Sequence, residues 1–159
     1  MYGSKRCGHI RSSVRFGAKV ELQDTKPLRI LLADDHDIVR AGLKSLLAQR
    51  PEWTICGEAT NGLEAVSKVV ELTPDVVILD ITMPVMSGLE AALKIRRLAP
   101  VTRIVILSMH DAVVMEGLLS LSAPDAYVSK TAANEDLLRA LNKIMEKQPG
   151  VPSHRAIAF

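Results

Sequence analysis

Cysteine is scarce in this chain of 159 residues: Cys7 and Cys56 are its two thiols. Neither belongs to a paired spacing, which excludes a disulfide framework and a cysteine metal knuckle. Aromatic side chains make up only 3%, too few for the stacking platforms on which single-stranded nucleic acids lie. Long apolar runs are also missing. Stretches such as Val76-Val77-Ile78-Leu79 fall far short of the roughly 20 residues a membrane-spanning helix needs. No continuous apolar segment follows the basic residues near the start, so a secretory signal is not expected. The cytoplasm is the expected compartment, with no membrane partner.

What remains is an ordinary globular composition, 48% apolar and 24% charged, enough for one domain with a core of its own. The net charge of +2 hides a division. Residues 1–26 carry six basic and two acidic side chains, whereas the remainder carries 14 basic and 16 acidic ones. A slightly acidic body is a poor nucleic-acid surface. Residues 1–26 read as a flexible basic extension, with an organelle transit peptide as the alternative. Gln148-Pro149-Gly150 reads as a helix stop, and residues 149–159 as a linker or tail. The folded body is expected over 27–148.

Within that body, short β-rich apolar runs alternate with amphipathic stretches. Strands are expected at Leu28–Ala33, Trp53–Ala59, Val76–Leu79, Ile104–Leu107 and Ala126–Val128. Helices are expected from His36 to Gln49, Gly62 to Leu72, Gly88 to before Pro100, Ala112 to Leu121 and Asn134 to Lys147. Asn61 is placed to cap the second helix, and Ser87-Gly88-Leu89-Glu90 spells a capping box for the third. Strands alternating with helices imply a parallel sheet. Strands apolar on both faces imply helices on both sides. The expected fold is α/β, a three-layer doubly wound sheet of five strands. In such folds the site lies beyond the carboxyl ends of the strands.

That edge is where the polar residues fall. The first strand runs into Asp34-Asp35, the third into Asp80, the fourth into Ser108 and the fifth into Ser129-Lys130. Taken singly, Asp34-Asp35 reads as a helix cap and Asp80 as a loop acid. Together Asp34, Asp35, Asp80, Ser108 and Lys130 read as one site. Three close carboxylates repel each other unless a cation joins them. Hard oxygen donors with no histidine or cysteine partner suit Mg2+. Such a set accepts a phosphoryl group: metal and lysine neutralise its oxygens, a carboxylate serves as nucleophile, and the Ser108 hydroxyl donates a hydrogen bond.

The motifs Ile30-Leu31-Leu32-Ala33-Asp34-Asp35-His36, Val76-Val77-Ile78-Leu79-Asp80-Ile81-Thr82-Met83-Pro84 with Ser87-Gly88, Ile104-Val105-Ile106-Leu107-Ser108 and Ala126-Tyr127-Val128-Ser129-Lys130 resemble the receiver domain of bacterial two-component response regulators. The flavour is that of regulators with a LuxR/NarL-type helix-turn-helix output. The resemblance implies a CheY-like, flavodoxin-type sheet of strand order 2-1-3-4-5. It implies that Asp80 takes a phosphoryl group from a histidine kinase. Asp35 is implied as a direct Mg2+ ligand, Asp34 as a ligand through water and the Thr82 backbone carbonyl as a third protein ligand. Lys130 is implied to contact the phosphoryl group, Ser108 to move toward it and Tyr127 to rotate with that move. Thr82 and His110 fall where the family tunes phosphoryl lifetime. The signalling surface would be the face of the fourth helix, fifth strand and last helix, a homodimer contact in the family.

Some features depart from the pattern. The fourth helix holds Gly117 and is apolar nearly all round, through Val113, Val114, Met115, Leu118, Leu119 and Leu121, and Ser122-Ala123-Pro124-Asp125 replaces a glycine-containing turn. That helix is either a contact face or more deeply buried. The four histidines (His9, His36, His110 and His154) look scattered, Cys56 reads as a small buried hydrophobe, and Trp53 as an anchor for its strand. The expected function is a phosphorylation switch that turns over no external substrate. A Mg2+-dependent phosphatase of the dehalogenase type would place an acid where Thr82 stands. Regulation of DNA would need an output domain outside these residues. The other reading is a stand-alone receiver acting by protein contact.

Overall fold

The computed structural model describes residues 26–109 and 122–146. The proposed basic extension, the tail, the fourth helix with Gly117, and His110 lie outside the described residues. Chain order is β1 (Leu28–Ala33), α1 (Asp37–Leu47), β2 (Trp53–Ala59), α2 (Gly62–Leu72), β3 (Val76–Asp80), α3 (Gly88–Leu98), β4 (Arg103–Ser108), β5 (Ala126–Ser129), a 3-10 turn (Lys130–Ala132) and a C-terminal helix (Ala133–Glu146). The strands are all parallel, in the order β2-β1-β3-β4-β5.

The helix starts follow from local chemistry. The Asn61 side chain accepts the Glu64 amide at 2.9 Å. At α3 both halves of the capping box form: Ser87 Oγ accepts the Glu90 amide, and the Glu90 carboxylate accepts the Ser87 amide. These bonds occupy amides that the first helical turn leaves without a partner. α1 differs. Its N-cap is His36, whose side chain makes no cap bond, and Asp34 Oδ1 accepts the His36 amide at 2.8 Å.

Two apolar layers cover the sheet. On one face, Ile30, Leu32, Ile78, Leu107 and Val128 pack against Leu43 and Leu47 of α1 and Leu137 and Leu141 of the C-terminal helix. On the other, Leu31, Val77, Leu79, Ile104 and Ile106 pack against Val66 and Val69 of α2 and Ala91 and Ile95 of α3. β3 has no exposed residue, as a strand covered on both faces must. Trp53 is buried and donates its indole N–H to Met145 Sδ at 3.0 Å, tying β2 to the C-terminal helix. Cys56 is only half-buried, unlike the expectation, and its thiol donates to the Ile30 carbonyl at 3.4 Å. Among the methionines, Met83 belongs to the core and Met109 is exposed.

Glycine is required at the start of α3. A methyl group at Gly88 would lie 2.0 Å from the Asp80 carbonyl oxygen, inside any permitted contact. This absent side chain lets α3 seat directly on the backbone of Asp80. At the turn before β5, Ala123 adopts φ 41° where a glycine would be at ease. Asp125 offsets that cost by accepting the Ile104 amide at 2.8 Å and binding Arg96 and Arg103 at 2.9 and 3.0 Å.

Candidate functional site

Side chains alternate along a strand, so residues two apart share a face. Asp34 follows Leu32, Asp80 follows Ile78 and Lys130 follows Val128, and all three predecessors face α1 and the C-terminal helix. The strand ends therefore deliver two acids and a lysine to one spot. Lys130 Nζ donates to Asp34 Oδ2 at 2.6 Å and lies 3.0 Å from Asp80 Oδ1. Asp34 is 1% exposed and Asp80 3%. Asp35 is more open, and its Oδ1 lies 3.0 Å from His36 Nδ1. That imidazole nitrogen also lies 3.1 Å from Asp34 Oδ1, which accepts the His36 amide at 2.8 Å. The Thr82 backbone amide donates to the Asp80 carboxylate.

Burial is the largest influence on Asp80 and pushes its carboxyl above the ordinary aspartate value. The Asp34 charge adds to that push, while Lys130 and the Thr82 amide pull the other way without cancelling it. Burial alone would lower the Lys130 ammonium. Its hydrogen bonds to Asp34 and Asp80 outweigh burial and hold it above its usual value. One lysine thus faces two buried carboxylates and remains charged, yet Asp80 is still incompletely compensated.

Such a site calls for a second cation. One donor atom each from Asp34, Asp35, His36 and Asp80 lies within 4.8 Å of the others, close enough to surround a single ion. Carboxylate oxygens fit Mg2+, and Asp34 and Asp80 are both buried with Lys130 between them. The donor set fits the ion.

The structure brings together Asp34, Asp35, Asp80 and Lys130. Ser108 is buried at the end of β4, one residue past Leu107, the register partner of Asp80, and is itself paired with Ser129. Tyr127 lies one strand further out, half-buried against the α2–α3 layer. Thr82 is exposed in the loop after β3. Asp80 is the last residue of β3, so a loop acid is the wrong description. His36 is not an isolated histidine: its place beside Asp34-Asp35 in the chain was the signal. Arg40 was not singled out either. Its Nη1 donates to the Asp34 carbonyl at 2.7 Å, and a basic residue one helical turn beyond His36 was the available hint.

Residues 30–142 match the response regulator receiver domain. The nitrate/nitrite response regulator protein NarL of Escherichia coli K12 is 38% identical over 124 residues, covering 77% of this chain and 56% of that protein. The transcriptional regulatory protein YdfI of Bacillus subtilis is 40% identical over 116 residues, covering 72% of this chain and 53% of that protein. The solved structure of a LuxR-family two-component response regulator from Aurantimonas sp. SI85-9A1 has TM-score 0.71 and 34% identity, covering 76% of this chain and 86% of that one. This chain spans little more than half the length of the two curated relatives. No described helix is long and apolar enough to cross a membrane. The five-stranded order, the acids gathered at the strand ends and the likeness to these regulators converge on one statement: the chain belongs to the response regulator receiver domain family of two-component systems.

Proposed function

We propose that Asp80 accepts a phosphoryl group from the phosphohistidine of a sensor histidine kinase. A carboxylate oxygen of Asp80 attacks phosphorus, the new P–O bond forms as the P–N bond breaks, and the departing ring nitrogen takes a proton. The supporting observation is the Lys130 ammonium held between Asp34 and Asp80, beside the point where phosphoryl charge would arrive. Asp34, Asp35, Asp80 and the Thr82 carbonyl would hold Mg2+, which when bound supplies charge neutralisation for the phosphoryl oxygens. Lys130 shifts from the Asp80 carboxylate to a phosphoryl oxygen, and the Ser108 hydroxyl donates to another. Tyr127 follows Ser108, carrying the change to the face of β5 and the C-terminal helix, where a second copy docks.

On this reading residues 27–148 are the receiver, with 1–26 a basic extension and 149–159 a linker. The protein works in the cytoplasm and modifies only itself. The output is transcription through a DNA-binding domain, in line with the 40% identity to the transcriptional regulatory protein YdfI. Phosphate-affinity electrophoresis after incubation with acetyl phosphate and Mg2+ tests the acceptor. The wild type gives a retarded band and Asp80→Asn gives none; a band persisting in the variant moves the acceptor elsewhere.

A further inference from the structure

Asp34 takes part in the site through two groups. Its carboxylate faces Lys130 and His36, whereas its backbone carbonyl accepts a hydrogen bond from Arg40 Nη1 at 2.7 Å. Arg40 lies in α1 with a side chain only 12% exposed. The rest of its guanidinium is also engaged: Nε donates to Glu58 Oε2 at 3.1 Å, and Nη2 donates to Asp37 Oδ1. Lys44 Nζ holds the other Glu58 oxygen at 2.8 Å, so Glu58, the penultimate residue of β2, is itself fixed from α1.

The Asp34 carbonyl belongs to the peptide unit joining Asp34 to Asp35, and that unit is planar. Anchoring the carbonyl orients the whole plane and with it the direction in which Asp35 leaves the backbone. The His36 amide, bound to Asp34 Oδ1 at 2.8 Å, restrains the loop on its other side. We infer that Arg40 is a positioning residue for the cation site: braced by Glu58, it locks the Asp34–Asp35 peptide so that the Asp35 carboxylate points into the cluster. This rests on reading Asp34, Asp35 and Asp80 as the cation-binding set.

The sign of the effect separates positioning from a simple field. Arg40 is a positive charge beside a cation site, so its field opposes binding. Removing it also leaves Asp37 without this partner and Glu58 with Lys44 alone, so the nearby negative charge is less compensated. A pure field effect therefore makes Arg40→Gln bind a divalent cation more tightly. Positioning makes it bind more weakly, because partners that orient a ligand typically govern metal affinity about 10–100-fold. A role in stability alone leaves the affinity of the folded protein unchanged.

The measurement is Mn2+ binding by the full chain, read as loss of the free-ion electron paramagnetic resonance signal. Wild type, Asp35→Asn, Arg40→Gln and Arg40→Lys are compared, with circular dichroism verifying the fold of each. We expect about tenfold weaker binding for Arg40→Gln. Arg40→Lys is also weaker: it keeps the charge but cannot reach the Asp34 carbonyl and Glu58 together. If Arg40→Gln does not fold, Arg40→Lys decides alone. Wild-type or tighter binding in the folded Arg40 variants, with binding lost in Asp35→Asn, overturns the role of Arg40 and leaves the site standing. Undiminished binding in Asp35→Asn overturns the site itself and this inference with it.

Discussion

The two ends of the sheet use aspartate in opposite ways. At the amino ends of the strands, Asp75 accepts the Arg29 amide at 2.8 Å. Asp125 accepts the Ile104 amide and both Arg96 and Arg103. Burial acts to raise Asp125, but those bonds prevail and hold its carboxyl below the usual value. At the carboxyl ends, Asp80 is also buried, but a single lysine serves both it and Asp34, and its carboxyl rises. One residue type in one sheet thus gives a finished joint at one edge and an unfinished charge at the other. Donors beyond burial make the difference. An acid with enough of them is held below its usual value, and an acid with fewer rises.

Removing the finished joint has the largest expected effect. Asp125→Ala leaves the Ile104 amide without its acceptor and removes the shared partner of Arg96 and Arg103, and it costs about 2–3 kcal/mol in urea unfolding. A loss under 1 kcal/mol would remove the contrast between the two ends. Asp80→Asn acts in the opposite direction. A carboxyl raised in the folded state favours folding while protonated, and that contribution disappears as pH climbs through its folded value. The variant is therefore more stable than the wild type at neutral pH, by a few degrees in Tm in metal-free buffer. The gap closes as pH falls to the ordinary carboxylate range. Mg2+ narrows it from the other side, raising the wild-type Tm more than that of Asp80→Asn. Equal Tm values at neutral pH without metal would mean that Lys130 compensates Asp80 fully.

The smallest effect concerns backbone strain beside the site. Val85, in the loop between β3 and α3, adopts φ 68° with its side chain 80% exposed. A β-branched residue pays sterically for that conformation and recovers nothing by packing. Val85→Gly is expected to raise stability by about 1 kcal/mol in the same unfolding measurement. A decrease would show that Val85 packs on the loop in solution.

Much of this was legible before any coordinates. Apolar runs on β3 and β4 mark strands covered on both faces, and the bonds at Asn61 and Ser87 form between residues three apart, so spacing alone announces them. Asp34, Asp80 and Lys130 were legible as an edge because a parallel sheet sends every strand end the same way. Other features were out of reach. Arg40 meets Glu58 across 18 positions, and Asp125 meets Arg96 across 29; no periodicity encodes such pairs. The left-handed Val85 carries no glycine to mark it. His36, by contrast, was within reach, since its partners Asp34 and Asp35 directly precede it in the chain.

On its own, then, the sequence determines the alternation of strands and helices and the edge at which acids and lysine emerge. Those features depend on local propensity and on the handedness of the connections. Only the tertiary structure decides which aspartate is satisfied by several donors and which shares one lysine with a second buried carboxylate. Charge interactions depend on distance and on the exclusion of water, and both are settled by residues far apart in the chain.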